Sequence, residues 1–371
     1  ASRVWVRLSN KEKVDAKVLG TDPQTDLCIL QLNLDQVSDA MKPLPVAAFG
    51  DFKTLEIGDT VMAMGSPAGV SQSVTLGVVA NLEMITPENV GGTKQDGENV
   101  GDLVRWIGHD AVIYFGNSGG PLVNLSGEII GINEVGLGSL GGAIPADIAE
   151  YVANELIANQ RVRRSWTGLI CQPMLESADG REGVLVSAVV ENSPAAEAGL
   201  KEGDVLTKFG GVGVHAAVRE HMPLFNKLVL GTPVGKTVKI AYARDGEARN
   251  TSLTTVERSR ARGEDVALPD WGVTARDLTV RSAIRLRRDD TNGVLLSSVS
   301  KSGAAASAKP ALKPGDLIQS VQGKATANLA ALRAITSARL KGADGGVDTI
   351  CLLYTSPSPR DPLRYLVCRL L

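Results

Sequence analysis

The sequence lacks a disulfide framework, a long apolar run and an excess of charge of either sign. Its four cysteines show no metal-ligand spacing. Basic and acidic residues nearly balance, at 39 against 41, so no basic surface is available for a nucleic-acid backbone. No run of 18 apolar residues is present, so no membrane span is predicted. Nucleic acid is therefore not an expected partner, and no membrane span is expected in these residues.

Aromatic residues are also scarce, at 4%, whereas glycine is abundant with 40 residues. This composition suits short strands and turns better than long helical bundles. Cys28 and Cys171 are interpreted as small buried hydrophobic residues. Nothing in the composition indicates a metal or an organic cofactor.

Short apolar runs separated by turn residues fill the chain up to about Val135. Val4, Val6 and Leu8 alternate with polar or large neighbours, which is the period-two pattern of a half-buried strand. Similar runs are DLCILQL, DTVMAMG, SVTLGVVANL and GEIIGINEV. The pattern predicts an all-β barrel or sandwich.

A helix is predicted after Pro145, in PADIAEYVANELIANQ. Ile148, Tyr151, Val152 and Leu156 fall on one helical face there. This helix would link the β-domain to the residues that follow.

The residues that follow contain an internal repeat. The segment EGVLVSAVVENSPAAEAGLKEGDVL (182–206) returns as NGVLLSSVSKSGAAASAKPALKPGDLI (292–318). A Trp-containing segment precedes each copy, and the polar stretch ERSRARGED (257–265) separates them. The repeat is too long for a solenoid unit, so two copies of one small domain are predicted.

The stretch YFGNSGGPLV (114–123) has the pattern of a loop that holds an attacking serine. Glycines around Ser118 permit a tight turn in which the backbone N–H groups of Gly116 and Ser118 converge. Converging N–H groups stabilise the oxyanion of an acyl-transfer intermediate. Gly116, Asn117 and Ser118 are therefore the candidate oxyanion-hole residues.

GNSGGP followed by PLVNLSGEIIGIN resembles the chymotrypsin-like serine proteases of the HtrA/Deg family. GTDPQTDLCILQL (20–32) is similar to the family segment that carries the triad aspartate, which implies Asp26. The two repeats are similar to PDZ domains. The resemblance implies a partial double β-barrel protease domain with its linker helix (1–160), followed by two α+β PDZ domains (163–257 and 266–350). It also implies a mainly β fold, Ser118 and Asp26 as catalytic residues, and no cofactor or metal.

A histidine base completes the triad in this family, in the chain order His, Asp, Ser. The sequence has only three histidines, His109, His215 and His221, and none precedes Asp26. We therefore expect the triad histidine upstream of Ala1, and we expect residues 1–371 to be inactive. His109 lies on the strand leading to the nucleophile loop, where it is poorly placed to reach Ser118. It is interpreted as a surface or packing histidine, as are the other two.

The chain departs from the family pattern beside the predicted site. Phe115 stands where the family commonly has proline, and Gly142 replaces an aromatic residue. Gly142, Ala143 and Ile144 are the predicted substrate pocket, which implies a preference for a small or medium apolar side chain. Residues 86–104 are polar and glycine-rich, and are either a regulatory loop or a solvated loop without a special role.

The first repeat is predicted to bind peptides. A PDZ groove takes an extended peptide as an added strand and binds its terminal carboxylate with backbone N–H groups. The resemblance assigns the carboxylate loop to Trp166, Thr167, Gly168, Leu169 and Ile170. The opposite wall is a helix predicted over 216–230, and Leu169, Leu224 and Leu228 line the pocket or pack in the core. The second repeat is less like a binding loop and could support assembly.

The C-terminal segment CLLYTSPSPRD (351–361) interrupts the second repeat where its last strand is expected. It resembles translated sequencing adapter, so residues 351–371 are interpreted as a non-native tail. The alternative is a native Pro-rich tail.

The resemblance implies an ATP-independent serine endopeptidase that degrades misfolded or damaged polypeptides in the periplasm or cell envelope. Its expected partners are unfolded polypeptides and apolar C-terminal peptides, and a trimer-based homo-oligomer is expected at full length. Two alternatives stay open. One is an inactive pseudoprotease that acts as a chaperone or PDZ adaptor, and the other is a pure PDZ scaffold.

Overall fold

A computed structural model describes residues 4–67, 72–86, 94–95, 97–174, 182–342, 348–355 and 364–370. The chain divides into two units, 1–258 and 259–371, with the division inside the polar stretch 257–265. The predicted mainly β fold is confirmed. Among the described residues, no helix is long and apolar enough to cross a bilayer.

The first unit begins with a three-stranded antiparallel sheet. Alternating side chains build it, since Val4 and Val6 are half-buried while Trp5 and Arg7 are exposed. The loop between its second and third strands contains Asp26. The strands are β1 (Val4–Arg7), β2 (Lys13–Asp22) and β3 (Leu27–Leu32).

A closed six-stranded barrel follows, in the order β10-β11-β8-β5-β4-β9. The inward residues of its strands, among them Val61, Val79 and Leu122, form one buried cluster. A short antiparallel strand pair, β6 (Lys94–Gln95) with β7 (Glu98–Asn99), follows β5 and precedes β8 along the chain. The barrel strands are β4 (Thr60–Gly65), β5 (Ser73–Met84), β8 (Trp106–His109), β9 (Pro121–Val123), β10 (Ile129–Leu137) and β11 (Leu140–Pro145).

Helix α1 (Ala146–Asn159) runs where the sequence predicts it. The side chains of Ile148, Val152 and Leu156 pack into a second buried cluster of the first unit. Tyr151, on the same predicted helical face, is 51% exposed. The helix end sits close against β2, because a Cβ on Gly20 would lie 2.5 Å from the carbonyl oxygen of Gln160.

The first repeat forms a sheet in the order β13-β14-β15-β17-β18, with β16 beside β15 and a separate β12–β19 pair. Its second helix begins at Met222, later than predicted, and a 3-10 turn precedes it. Cys171 is partly buried against this core, but Cys28 on β3 is exposed, so only the interpretation of Cys171 agrees with the structure. The elements are β12 (Ser165–Trp166), β13 (Leu169–Gln172), β14 (Val184–Val189), α2 (Pro194–Glu197), β15 (Val205–Phe209), β16 (Val212–Gly213), α3 (Met222–Leu230), β17 (Thr237–Arg244), β18 (Glu247–Thr254) and β19 (Val256–Glu257).

The second unit repeats this plan around its own core, in which Trp271 is buried. Its sheet has the order β20-β21-β22-β23-β25-β26, with β24 beside β23. Part of the residues interpreted as a tail pairs here, since β25 joins β23 and β26 joins β25. The elements are β20 (Val266–Leu268), β21 (Val273–Asp277), α4 (Val280–Arg285), β22 (Val294–Val299), α5 (Ala304–Ser307), β23 (Leu317–Val321), β24 (Lys324–Ala325), α6 (Leu329–Gly342), β25 (Asp348–Thr355) and β26 (Arg364–Leu370).

Candidate active site

Ser118 is exposed on a tight turn between β8 and β9. Gly116 has φ 107° and Gly119 has φ 84°, a backbone region that L side chains rarely adopt. The turn is fixed on the end of β4, where the N–H of Ser66 donates to the carbonyl of Gly116 at 3.0 Å. Packing there leaves no room for a side chain on Gly65, since a Cβ would lie 2.5 Å from Oδ1 of Asn117.

The other side of the turn is held by β10. The N–H of Gly119 donates to the carbonyl of Asn133 at 2.7 Å, and the N–H of Asn133 donates to the carbonyl of Gly120 at 2.9 Å. The hydroxyl of Ser118 donates to the backbone carbonyl of Glu134 at 2.8 Å. The nucleophile candidate is thus oriented by backbone groups of the barrel.

The predicted oxyanion-hole residues lie together on this turn. Among the described residues, the N–H groups of Gly116 and Ser118 have no hydrogen-bond acceptor. The N–H of Asn117 is engaged, because it donates to the carbonyl of Tyr114 at 2.9 Å. The side chain of Phe115 is 98% exposed immediately before Gly116. The available donors are therefore the two N–H groups that flank Asn117.

Asp26 is exposed at the end of the loop between β2 and β3, with a positive φ of 52°. Buried side chains support this loop through hydrogen bonds and an ion pair. The hydroxyl of Thr25 donates to Asp22 at 2.7 Å, and Arg164 forms a buried ion pair with the same carboxylate. Arg164 lies between α1 and the first repeat, so the Asp26 loop is tied to the start of that repeat.

Asp26 and Ser118 line one open cleft with a volume of about 570 Å³. Carboxylates of Asp22, Asp26 and Glu134 line it, and its lining includes no lysine, arginine or histidine among the described residues. Its apolar wall consists of Leu27, Ile29, Leu30, Phe49, Ile132, Ile144, Ala149 and Ala153. The structure thus brings the two predicted catalytic residues to the same cleft.

Glu134 is a site residue that sequence reasoning missed. One carboxylate oxygen, Oε2, accepts a hydrogen bond from Nε1 of Trp106 at 2.6 Å. The other, Oε1, is buried and has no hydrogen-bond partner among the described residues. Burial raises the pKa of the Glu134 carboxyl to about 7; the Trp106 bond lowers it and the charge of Asp26 raises it. The cleft therefore contains a carboxyl group that holds its proton to a much higher pH than an ordinary glutamate does.

The three histidines lie away from the cleft. His109 is fully buried inside the barrel, where Nε2 lies 3.1 Å from Oδ1 of Asn133. Burial lowers the pKa of its imidazole, and the Asn133 contact, the Ala111 backbone and the charge of Asp110 oppose that shift without overcoming it. His215 and His221 are in the first repeat, with ring centroids 6.1 Å apart. The interpretation of His109 as a packing residue agrees with this burial, but the residue also makes a polar contact.

The predicted substrate-pocket residues all lie on β11, and all are buried. A Cβ on Gly142 would lie 2.6 Å from Cε of Met84 and 2.8 Å from Cγ1 of Val135. Ile144 alone of the three lines the cleft. The substrate preference stays a prediction. Residues 87–93 and 96 of the predicted regulatory loop lie outside the described residues.

The predicted carboxylate loop of the first repeat leads into β13. Gly168 has φ 84° and packs directly on Ser193, which leaves no space for a side chain. Its carbonyl accepts from the N–H of Val190 at 2.9 Å. β13 pairs with β14 on one side and has no strand on its other edge among the described residues. An edge strand of this kind can accept an added strand.

Comparison with known proteins follows the same division of the chain. The family model for a trypsin-like peptidase domain matches residues 1–132, and models for PDZ domains match residues 162–255 and 273–353. Periplasmic serine endoprotease DegP of Salmonella typhimurium is 31% identical over 354 residues, covering 91% of this chain and 67% of that protein. Probable periplasmic serine endoprotease DegP-like of Pseudomonas putida is 31% identical over 346 residues, covering 88% and 66%.

A third curated relative, the probable DegP-like endoprotease of Chlamydia trachomatis, is 31% identical and covers 100% of this chain and 70% of its own length. The chain thus spans about two thirds of the length of these relatives, from 66% to 70%. Among solved structures, HtrA-type protease AlgW with a decapeptide has a TM-score of 0.57 at 30% identity, covering 70% of this chain and 76% of that one. AlgW with a tripeptide gives a TM-score of 0.58, also at 30% identity, covering 70% and 82%.

Proposed function

The chain belongs to the HtrA/Deg family of serine proteases, as its motifs indicate, and we propose that it is an ATP-independent serine endopeptidase acting on misfolded or damaged polypeptides. The observation that carries the proposal is the cleft shared by Ser118 and Asp26. Two N–H groups that have no acceptor in the described part of the chain, those of Gly116 and Ser118, lie on the turn that presents the serine. This combination supports acyl transfer, which needs a nucleophile and an oxyanion site.

In the proposed mechanism, Ser118 attacks the peptide carbonyl and the N–H groups of Gly116 and Ser118 bind the oxyanion. Asp26 orients an imidazole that takes the proton of Ser118. No histidine of the 371 residues lines the cleft in the described structure. We therefore propose that the 371-residue chain by itself is inactive, because the serine lacks its base.

Peptide binding is assigned to the first PDZ domain. The free edge of β13 and the exposed face of α3 provide the strand partner and the side-chain wall. Structures of AlgW are titled with a decapeptide and a tripeptide, which supports a peptide ligand in this family. We propose that unfolded polypeptides and apolar C-terminal peptides bind there. A periplasmic or envelope location, proposed from the names of the relatives, and a trimer-based assembly complete the proposal.

One observation favours a second candidate function, an inactive pseudoprotease that acts as a chaperone or PDZ adaptor. The Glu134 carboxyl shares the cleft with Asp26, and two nearby carboxylates disfavour each other's charge. An acid at this position would weaken a triad that relies on an ionised Asp26. In that case Ser118 would not react even when a base is available.

Chemical rescue separates the two functions. The 371-residue chain is incubated with fluorescein-labelled casein at pH 8, with and without added imidazole, beside Ser118→Ala. The protease proposal predicts cleavage that depends on imidazole and is absent in the variant. Cleavage without imidazole that Ser118→Ala abolishes would contradict the proposed inactivity. No cleavage under any condition, together with retained peptide binding, would favour the adaptor.

A further inference from the structure

A buried polar pair, His109 and Asn133, lies directly behind the nucleophile turn. His109 ends β8 and Asn133 lies on β10, and the two strands are joined through β11. Nε2 of His109 and Oδ1 of Asn133 are 3.1 Å apart, and both residues are almost completely buried. A buried polar group destabilises the folded state unless it has a well-oriented hydrogen-bond partner.

Asn133 makes hydrogen bonds to the turn through both its backbone and its side chain. Its Nδ2 donates to the carbonyls of Gly120 at 3.1 Å and Pro121 at 3.0 Å. Its backbone carbonyl accepts the N–H of Gly119, and its N–H donates to the carbonyl of Gly120. Asn133 thus makes four hydrogen bonds to the three residues that follow Ser118: one to Gly119, two to Gly120 and one to Pro121.

These contacts determine the orientation of the Asn133 amide. Carbonyl oxygens only accept hydrogen bonds, so the amide NH₂ must face Gly120 and Pro121. Oδ1 must therefore face His109, and because Oδ1 only accepts, Nε2 of His109 must carry a proton. Nδ1 is buried and has no hydrogen-bond partner among the described residues. Nε2 is consequently the ring nitrogen that donates to Asn133.

The barrel is shaped to admit this ring. Gly141 on β11 pairs with His109, and a Cβ at Gly141 would lie 2.8 Å from Nε2. Any other residue at position 141 would displace the imidazole from Asn133. The histidine and the glycine therefore fit each other sterically.

We propose that His109 is a positioning residue that holds the nucleophile turn through Asn133. Its Nε2–H locks the Asn133 amide in the one orientation that binds the Gly120 and Pro121 carbonyls. The inference deepens the proposed function, because the turn carries Ser118, but the brace itself does not depend on any activity. His109 therefore acts through Asn133 and does not contact the reacting atoms.

The test compares His109→Gln with His109→Leu by amide hydrogen exchange of the turn in the whole chain. Glutamine can donate an N–H to Oδ1, whereas leucine fills the space without a donor. We expect His109→Leu to speed exchange at Gly119 by about tenfold, the effect of losing roughly one hydrogen bond. His109→Gln should stay near wild type, and exchange in β4 and β5 should be unchanged in both variants.

Equal protection at Gly119 in wild type and His109→Leu would overturn the proposal, and so would equal loss in both variants. If the leucine variant does not fold, the imidazole of the wild-type chain provides the second measurement. Long-range ¹H–¹⁵N NMR should show the Nε2–H tautomer at pH 7, and an Nδ1–H tautomer would overturn the proposal. Neither measurement depends on Ser118 being catalytic, so failure of the proposed function would leave both results intact.

Discussion

The guanidinium of Arg164 is joined to the carboxylate of Asp22 by two hydrogen bonds of 2.6 Å, with both side chains almost fully buried. The pair connects the start of the first PDZ domain to the loop that carries Asp26. Because Asp22 also accepts from Thr25, its two oxygens are fully engaged. The loop that carries Asp26 therefore depends on a residue at the start of the first PDZ domain.

Arg164→Ala should destabilise the chain by roughly 3–5 kcal/mol, because it leaves the Asp22 carboxylate buried without its partner. Urea unfolding followed by fluorescence measures the change. Arg161→Ala is the matched control, since that arginine pairs with Glu257 at an exposed site and should cost less than about 1 kcal/mol. Equal effects of the two substitutions would contradict the assigned importance of the Asp22 pair.

Glu134→Gln should stabilise the chain at pH 8 and have little effect at pH 5. Burial raises the pKa of Glu134 from 4.5 to about 7, so the folded state holds a proton that the unfolded state releases. Stability from this group is thus present below pH 4.5 and is lost as pH rises through 7. The gain at pH 8 should be on the order of 1–3 kcal/mol.

The measurement is the free energy of unfolding of wild type and Glu134→Gln at both pH values. Glu83→Gln serves as the control, because Glu83 pairs with Arg105 at the barrel surface, where its side chain is 57% exposed. A stabilisation by Glu134→Gln that is the same at pH 5 and pH 8 would mean that ionisation of Glu134 is not its cause.

Peptide binding should reside in the first PDZ domain and not in the second. In the second unit, β20 already pairs with β21, on the edge that β13 leaves free in the first domain. Leu268 of β20 is buried in the core, so this pairing is an integral part of the domain. A peptide could add to β21 only by displacing β20.

Leu224→Glu should therefore weaken binding of a peptide with an apolar C-terminus by about tenfold or more, since it places a charge on the exposed face of α3. Val280→Glu in α4 of the second unit is the matched control, because the two side chains are 50% and 47% exposed. Fluorescence anisotropy with a labelled peptide measures both. Loss of binding in the Val280 variant alone would place the ligand in the second unit.

Gly65→Ala should displace the nucleophile turn, because the new methyl group would lie 2.5 Å from Oδ1 and 2.7 Å from Cα of Asn117. Overpacking of this kind costs about 1–3 kcal/mol. Gly213→Ala is the control, since no atom lies within 4 Å of its Cβ position. Thermal unfolding of the two variants should show a lower Tm for Gly65→Ala only. An unchanged Tm for Gly65→Ala would mean that the turn moves to accept the methyl group without a loss of stability.

Sequence patterns predicted the strands and helices that are determined by residues close to one another in the chain. The alternation around Val6 gave β1, and the apolar face of Ile148, Val152 and Leu156 gave α1. Tyr151 shares that helical face but is half exposed, because periodicity places a residue on a face and does not tell how far the packing partner extends. Cys28 was misassigned for a similar reason, since its strand in the first sheet exposes that side chain.

The structure brings Ser118, from one recognisable string, and Asp26, from a second segment, to the same cleft, and their catalytic roles stay predictions. Contacts that tertiary pairing creates gave no comparable signal in the sequence. Glu134 gave no signal, because an acid within a half-buried strand usually faces solvent. The contact between His109 and Asn133 spans 24 residues and depends on the barrel register, which composition and spacing do not determine.

Labelling of Ser118 by a fluorophosphonate, with and without imidazole, tests the central claim most directly. The cleft beside Ser118 and Asp26 has room for the small base. General-base assistance should raise the labelling rate of the 371-residue chain by about tenfold or more, and Ser118→Ala should remove the label. Labelling that imidazole does not accelerate, or that persists in Ser118→Ala, would contradict the assignment of Ser118 as the nucleophile of this cleft.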